Sequence, residues 1–447
     1  MSNKLALFGG DPAVSQAPGD MFTWPILTEE DDMAVLEVLH NRAMSGTNVT
    51  MEFERDFSAW LGCKRALGFC NATSALGAAM FACGLGHGDE LISPSITYWA
   101  STVQAFSLGA TVAFADIDPD TLCLDPSVLE SCLSEKTKAI MVVHYVGYPA
   151  DMDRIMAFAK KHGLKVIEDV SHAQGGLYKG RKLGSIGDVS VMSLMTGKSL
   201  VAGEGGMLAT DDDLIWERAI AAGHYERFGD SIKSEELKPY IKLPMLGMKG
   251  RMHQMSAALG RVQLKYYDER SAEIRRSMNY FWDLLEGVPG IRAHRVDEKT
   301  GSNMGGWYAA RGLFVSSELG GLSVSRFCEA VRAEGADCSP GCNTPLHTHA
   351  LLQTADIYHQ GSPTRIANAS RDVRELDQAL PHSLAANART YSIPWFKHYR
   401  PDIIREYAEA FKKAALGYKE LLPGDTGNPA SMGLGNWNFF NSTRGKS

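Results

Sequence analysis

The chain has 447 residues, 45% of them hydrophobic and 22% charged, with no biased tract, so it reads as a globular protein of two or three lobes with a sizeable core. A formal net charge of -7 argues against a nucleic-acid scaffold and against a basic membrane-binding face. Residues 1–20 lack a basic start followed by an apolar core, no apolar run approaches a bilayer span, and most of the eight cysteines stand singly in apolar surroundings; together these predict a soluble, cytoplasmic protein with reduced thiols.

Residues 1–27, short on periodicity and carrying Gly9, Gly10, Pro12, Pro18 and Pro25, predict an N-terminal arm. Helices over 29–41 and 51–61 follow, then a strand over 66–69. Next comes Asn71-Ala72-Thr73-Ser74, small and hydroxyl-rich, opening a helix over 74–83. A strand that ends on such residues at a helix start makes an anion site, because backbone N–H groups and the positive end of the helix dipole aim at one spot. A plain N-cap at Thr73 or Ser74 is the commoner use of the same residues. The glycines of GLGHGDE, at 84–90, precede a short strand at 91–92 instead of following one, which excludes the dinucleotide fingerprint. Residues 95–101 then lead into a helix ending near 108.

From there strands over 111–115, 139–145 and 165–168 alternate with helices over 126–132 and 151–161, and strands over 189–194 and 206–210 precede a helix over 211–222. Short apolar strands alternating with helices predict an α/β large domain with a mostly parallel sheet covered on both faces. Ligands of such sheets gather at the carboxyl ends of strands. Thr73, Tyr98, Asp169 and the stretch around Lys198 all fall there.

A long polar loop over 223–250 is of the kind that is usually functional or mobile. A helical pattern over 255–285, a strand over 306–315, helices over 323–334, 370–380 and 401–421, and a loop at 338–349 predict a smaller α+β C-terminal domain. The expected division is therefore arm 1–27, large domain 28–265, small domain 266–422 and a Gly/Asn/Ser-rich tail 423–447, whose Trp437, Phe439 and Phe440 suit either docking or fraying. Cys338 and Cys342, followed by His347 and His349, match zinc spacings only loosely; the plain reading is a loop with two thiols and two imidazoles, and no metal is expected.

One stretch stands out: SLMTGKSLVAGEGG, Ser193 to Gly206, where Lys198 sits among small residues that leave room beside its amine. The Gly197-Lys198-Ser199 triplet is not the end of a phosphate loop, because that motif needs glycine where Met192 stands. Taken singly, a lysine is more often a solvated charge and a strand-end aspartate more often a cap. As a set they suit pyridoxal phosphate, which needs a lysine for covalent attachment, a carboxylate to keep its ring nitrogen protonated, a phosphate cradle and a flat surface against its ring. Lys198, Asp169, Thr73 with Ser193, and Tyr98 are the candidates for these needs.

At family-like spacing, the blocks GGDP, FERDFSAWLG, NATSAL, GLGHGDELISPSITYWAS, FADIDPDTLCLDP, IEDVSHAQGGLYKGRKLGSIGD and SLMTGKSLVAGEGG, spread over about residues 5–421, resemble the pyridoxal-phosphate aminotransferases of nucleotide sugars and cyclitols, the DegT family. The resemblance implies the fold type I architecture. It implies Lys198 as the Schiff-base lysine and proton shuttle, Asp169 as partner of the pyridinium nitrogen, Tyr98 as the stacking aromatic, Ala72, Thr73 and Ser193 as phosphate contacts, and His172 near the cofactor's phenolic oxygen. The segment Gly247–Met252 resembles the stretch that crosses a homodimer with shared active sites, which implies Lys249 as a phosphate contact to the neighbouring subunit. Arg251 and His347 are candidate substrate contacts.

Two positions depart from the pattern: Ala72 replaces the usual glycine of the phosphate turn, which predicts a less free backbone, and Lys249 replaces the usual asparagine. The implied reaction takes an amino group from glutamate or glutamine to a ketone on a sugar, nucleotide sugar or cyclitol. Relatives with histidine in place of this lysine are sugar dehydratases, so Lys198 argues for transfer; an aminohydroxybenzoate synthase-like enzyme, a regulatory protein on the same fold and a nucleotide-binding oxidoreductase are the rival readings.

Overall fold

The computed structural model describes residues 4–357, 359–375 and 380–429. Trp437, Phe439 and Phe440 of the tail lie outside them.

Seven strands form the central sheet: β1 (Arg65–Phe69), β2 (Glu90–Pro94), β3 (Thr111–Ala115), β4 (Thr137–Val143), β5 (Lys165–Asp169), β6 (Val189–Ser193) and β7 (Gly206–Thr210). Their order is β1-β7-β6-β5-β4-β2-β3. The run from β6 to β3 is parallel, while β7 is antiparallel to both β6 and β1. The strands are apolar along nearly their whole length because both faces are covered; β2, β3 and β7 are buried at every residue. The covering helices include α1 (Glu29–His40), α2 (Asn48–Leu61), α3 (Ala72–Ala82), α4 (Met152–His162), α5 (Asp213–Gly223) and α6 (Gln254–Lys265). Helix α4 shows why such segments are helical: Asp151 caps it through the Arg154 N–H, Lys160, Lys161 and His162 complement the dipole in its last turn, and Gly163 ends it at φ 66°.

Helix α7 (Tyr267–Leu284) leads to a three-stranded antiparallel sheet, β8 (Ile291–Ala293), β9 (Arg311–Phe314) and β10 (Thr390–Ser392), packed with α8 (Val324–Ala333), α9 (Pro381–Arg389) and α10 (Pro401–Leu416). This second core is separate from that of the large sheet. It takes in Leu5, Ala13 and Met21, so the N-terminal arm packs on the smaller lobe.

Two elements differ from the sequence expectation. Residues 306–310 are not strand: Trp307 and Ala309 both sit at φ 55°, in the left-handed region that strands exclude, and β9 begins only at Arg311. The helix expected over 370–380 is, among the described residues, a single turn at Val373–Glu375; a full helix starts at Pro381, whose ring suits a first-turn position. Residues 376–379 lie outside the described residues. No helix among the described residues is long and apolar enough to cross a membrane.

Candidate active site

Asp169 is the last residue of β5 and is 5% exposed. Its Oδ2 accepts from the Ser101 hydroxyl at 2.7 Å and its Oδ1 from the Ser171 N–H at 3.0 Å. Two directed donors hold the carboxylate in one orientation while leaving lone pairs open for a third. Ser101 is itself placed by Thr97, 3.0 Å away.

Lys198 follows β6 in a compact turn. Its N–H donates to Met195 O at 2.8 Å, Thr196 N–H donates to Gly203 O at 2.8 Å, and Ala202 N–H donates to Leu194 O at 2.7 Å. The Gln174 side chain braces this turn from inside: Nε2 donates to the carbonyls of Ser193 and Leu200, and Oε1 accepts from Ser199 Oγ at 2.7 Å and from the Leu200 N–H at 2.9 Å. From outside, the Trp24 indole N–H donates to the Lys198 carbonyl at 3.0 Å. The side chain points inward with Nζ 3.7 Å from the centre of the Tyr308 ring. Burial brings its ammonium down from the usual 10.5 to about 7, although the charge of Asp169 pulls the other way. The amine is thus half deprotonated near neutrality, as a nucleophile or base must be.

His172 lies between Tyr145 and Tyr308, its ring tilted to both, with ring centres 5.6 and 4.9 Å away. Burial first, then the charges of Lys198 and Arg311, hold it well below the usual imidazole range. Its Nδ1 accepts from the Val146 N–H at 3.4 Å, so in the neutral ring the proton belongs on Nε2.

At the opposite end, Phe69, Gly206 and Ser193 share one row of the sheet. Helix α3 starts beside that row, capped by Asn71 Oδ1, which accepts from the Ser74 N–H at 2.8 Å. A Cβ on Gly206 would lie 2.5 Å from the Ala72 nitrogen and 2.6 Å from its Cα, so only glycine lets β7 approach the helix start so closely. Ala72 is the first helical residue, a conformation any L-residue adopts, so the missing glycine leaves this backbone unstrained. Thr73 and Ser193 are both half-buried beside the free N–H groups of the helix.

The remaining sequence candidates are more dispersed. Tyr98 precedes a single helical turn and is 38% exposed, its ring 5.1 Å from Trp99; the aromatic in contact with Lys198 Nζ is Tyr308. Gly250 is pinned by its N–H to Gly223 O at 2.9 Å and by its carbonyl to the Cys70 N–H at 2.6 Å, and Arg251 bridges to Phe69, while Lys249 stays exposed. His347 Nδ1 lies 2.6 Å from Ser95 Oγ, just past β2, and burial with the nearby Arg365 charge pushes its pKa down to about 4. Neither Arg251 nor His347 touches Lys198 among the described residues. The four residues of the loose zinc match diverge: Cys338 Sγ lies 3.2 Å from Cys328 Sγ, Cys342 Sγ turns to Asn343 O, His347 bonds Ser95, and His349 Nδ1 accepts from the Leu351 N–H.

Sequence reasoning missed Gln174, Trp24, Tyr308 and Ser101 as parts of this site. Gln174 and Ser101 stand inside quoted motifs and could have been singled out; Trp24 is distant in the chain with no local signal, and Tyr308 reads in the sequence only as part of a strand.

The DegT/DnrJ/EryC1/StrS aminotransferase family profile matches residues 25–409. The spore coat polysaccharide biosynthesis protein SpsC of Bacillus subtilis is 30% identical over 398 residues, covering 89% of this chain and 97% of that protein. The L-glutamine:scyllo-inosose aminotransferase of Streptomyces griseus is 29% identical over 441 residues, covering 94% of this chain and 100% of that protein. Among solved structures, an aminotransferase from Psychrobacter cryohalolentis superimposes with a TM-score of 0.74 at 27% identity, covering 87% of this chain and 97% of that one.

Proposed function

The chain belongs to the DegT/DnrJ/EryC1/StrS aminotransferase family, and from that premise we propose that it uses pyridoxal phosphate to move an amino group from L-glutamine or L-glutamate to a ketone on a sugar, nucleotide sugar or cyclitol. The observation that carries this reading is Lys198, a buried amine brought to about 7 beside a carboxylate fixed by two hydrogen bonds.

The residues present fit the cofactor. The N–H groups that open α3, with Thr73 and Ser193, would hold its phosphate; Asp169 would hold its ring nitrogen; His172 Nε2–H would donate to its phenolic oxygen; and the exposed face of Tyr98 would lie against its ring. Lys198 Nζ would hold its aldehyde carbon. When bound, pyridoxal phosphate supplies the electron sink that makes a C–H bond next to nitrogen acidic.

Lys198 Nζ then does the proton work: it takes the proton from the α-carbon of the donor in the first half-reaction and gives one to the carbon of the acceptor ketone in the second. A group near 7 is suited to both directions, being close to equally able to accept and to donate at neutral pH. Ser101 and the Ser171 N–H keep Asp169 in place, and Tyr308 covers the amine. Lysine at 198, in place of the histidine of the dehydratases, favours transfer over dehydration.

A homodimer with shared active sites is part of the proposal. It is supported by the outward apolar residues Met33, Leu36 and Met51 of α1 and α2 and by exposed Lys249, which sits one residue from the pinned Gly250 and would reach the phosphate of the neighbouring subunit. Arg251 and His347 are kept as proposed substrate contacts.

The test is a coupled assay with L-glutamine and L-glutamate against scyllo-inosose, nucleotide-linked 4-ketosugars and free ketosugars. Amino transfer to one of these acceptor classes is the expected result; turnover of none, with both donors supplied, would contradict the reading.

A further inference from the structure

A second lysine lies against the same aromatic wall. Lys397, in the segment after β10, is 6% exposed. Its Nζ stands 2.7 Å from the centre of the Trp395 ring and 5.9 Å from that of Trp24. Trp24 belongs to the site already described, and Trp395 adjoins it. Trp24 donates to the Lys198 carbonyl at 3.0 Å, and Trp395 packs edge-on against Tyr308, ring centres 5.6 Å apart, while Tyr308 covers Lys198 Nζ. The Trp395 indole N–H is tied to Gly306 O at 2.9 Å and the Lys397 backbone N–H to Met21 O at 3.0 Å, which holds the Trp395 ring and the Lys397 main chain in place.

What Lys397 lacks is an acceptor. Among the described residues no carboxylate lies within 4.0 Å of its Nζ and none of its three N–H groups is hydrogen-bonded, yet its ammonium is not fully enclosed. Ring faces soften the burial of a cation but do not take its hydrogen bonds. Burial alone pulls the group well below the usual lysine range, with no neighbouring charge acting on it. A folded chain normally pairs or expels such a group. Its retention two aromatic rings, Trp395 and Tyr308, from the reactive amine suits a site that receives its counter-ion from outside.

Resting on the aminotransferase reading, we propose that Lys397 is the receptor for the α-carboxylate of the amino-acid donor. The chemistry of the two substrates favours the donor. The carbon that loses its proton to Lys198 is bonded directly to the carboxylate carbon, so this anion has to arrive close to the reactive amine in every donor turnover. An inosose or free ketosugar carries no charge, and in a nucleotide-linked ketosugar the diphosphate is separated from the ketone by the sugar ring. The α-carboxylate is common to L-glutamine, L-glutamate and the keto acid that leaves, so Lys397 serves donor entry without choosing between the two amino acids.

The experiment uses the cofactor-loaded enzyme as wild type, Lys397→Met and Lys397→Arg, following each half-reaction separately by absorbance, with L-glutamine or L-glutamate in the first half and scyllo-inosose or a nucleotide-linked 4-ketosugar in the second. Lys397→Met should raise the half-saturating donor concentration at least tenfold, leave the half-saturating acceptor concentration within twofold, and melt no lower than wild type, because a buried unpaired amine has been replaced by an apolar chain of similar length. Lys397→Arg, which keeps the charge, should recover most of the donor affinity. Unchanged donor saturation in Lys397→Met overturns the proposal, as does a change confined to the acceptor half. A loss of melting temperature without a shift in donor saturation, or a Lys397→Met chain that fails to fold, assigns Lys397 to packing and overturns it too. Wild-type enzyme that turns over neither donor instead refutes the aminotransferase reading itself.

Discussion

Burying the Lys198 amine has a thermodynamic signature that needs no substrate to measure. Its pKa falls from the usual 10.5 to about 7 in the folded chain. Below about 7 both folded and unfolded chains hold the proton, and the folded state bears the full cost of an enclosed ammonium. Between about 7 and 10.5 the unfolded chain binds more protons than the folded one, so stability rises with pH. Each pKa unit corresponds to about 1.4 kcal/mol, so the whole shift amounts to about 5 kcal/mol. Replacing Lys198 with Met removes this dependence while keeping an apolar stem of similar length. Urea unfolding of cofactor-free wild type and Lys198→Met, in half-unit steps from about pH 6.5 to 9.5, reports on Lys198 because the groups that do not interact with it cancel in the difference. The variant should be the more stable protein at the acid end, and its advantage should shrink by close to 1.4 kcal/mol per pH unit toward the alkaline end. A difference that stays flat with pH would refute the claim that Lys198 is a buried, readily deprotonated amine.

Two further variants probe the ends of the site. Gly206→Ala drives a Cβ to 2.5 Å from the Ala72 nitrogen, where only backbone can yield; overpacking of this kind costs about 1–3 kcal/mol, so cofactor affinity measured by equilibrium dialysis should fall roughly tenfold or more, and an unchanged affinity would remove the start of α3 from the phosphate cradle. Ser101→Ala deletes the 2.7 Å donor to Asp169; a hydrogen bond to a charged group contributes about 1.5–3 kcal/mol, so steady-state turnover should drop at least about tenfold with cofactor still bound, and full turnover would show that Asp169 needs no such support.

The large sheet was legible in the sequence because its strands are continuous apolar runs bounded by turn residues: β3 and β7 have the limits that pattern predicts, and Asp169 and Lys198 sit at the ends of such runs. Gly206 was visible as part of a glycine run, but its close contact with Ala72 depends on the antiparallel return of β7 between β1 and β6, which no local pattern encodes. The smaller lobe was read less well. Trp307 and Tyr308 look like strand residues, and only the fold turns them into a left-handed corner that sets Tyr308 over Lys198. Trp24 reaches the site from the arm through a contact across 174 residues of chain, and Trp395 and Lys397 reach it from the segment before α10. Pro381, whose ring suits a first turn, starts a helix where the sequence reading places none, and of the helix expected over 370–380 the described residues hold only one turn.

The central claim is that Lys198 is the amine that carries the chemistry, and the visible spectrum tests it most directly. Wild-type protein reconstituted with pyridoxal phosphate should show an absorption band that moves when L-glutamate or L-glutamine is added, and Lys198→Ala should lack that band and its response. A normal band that still responds to the amino donor in Lys198→Ala would contradict the account.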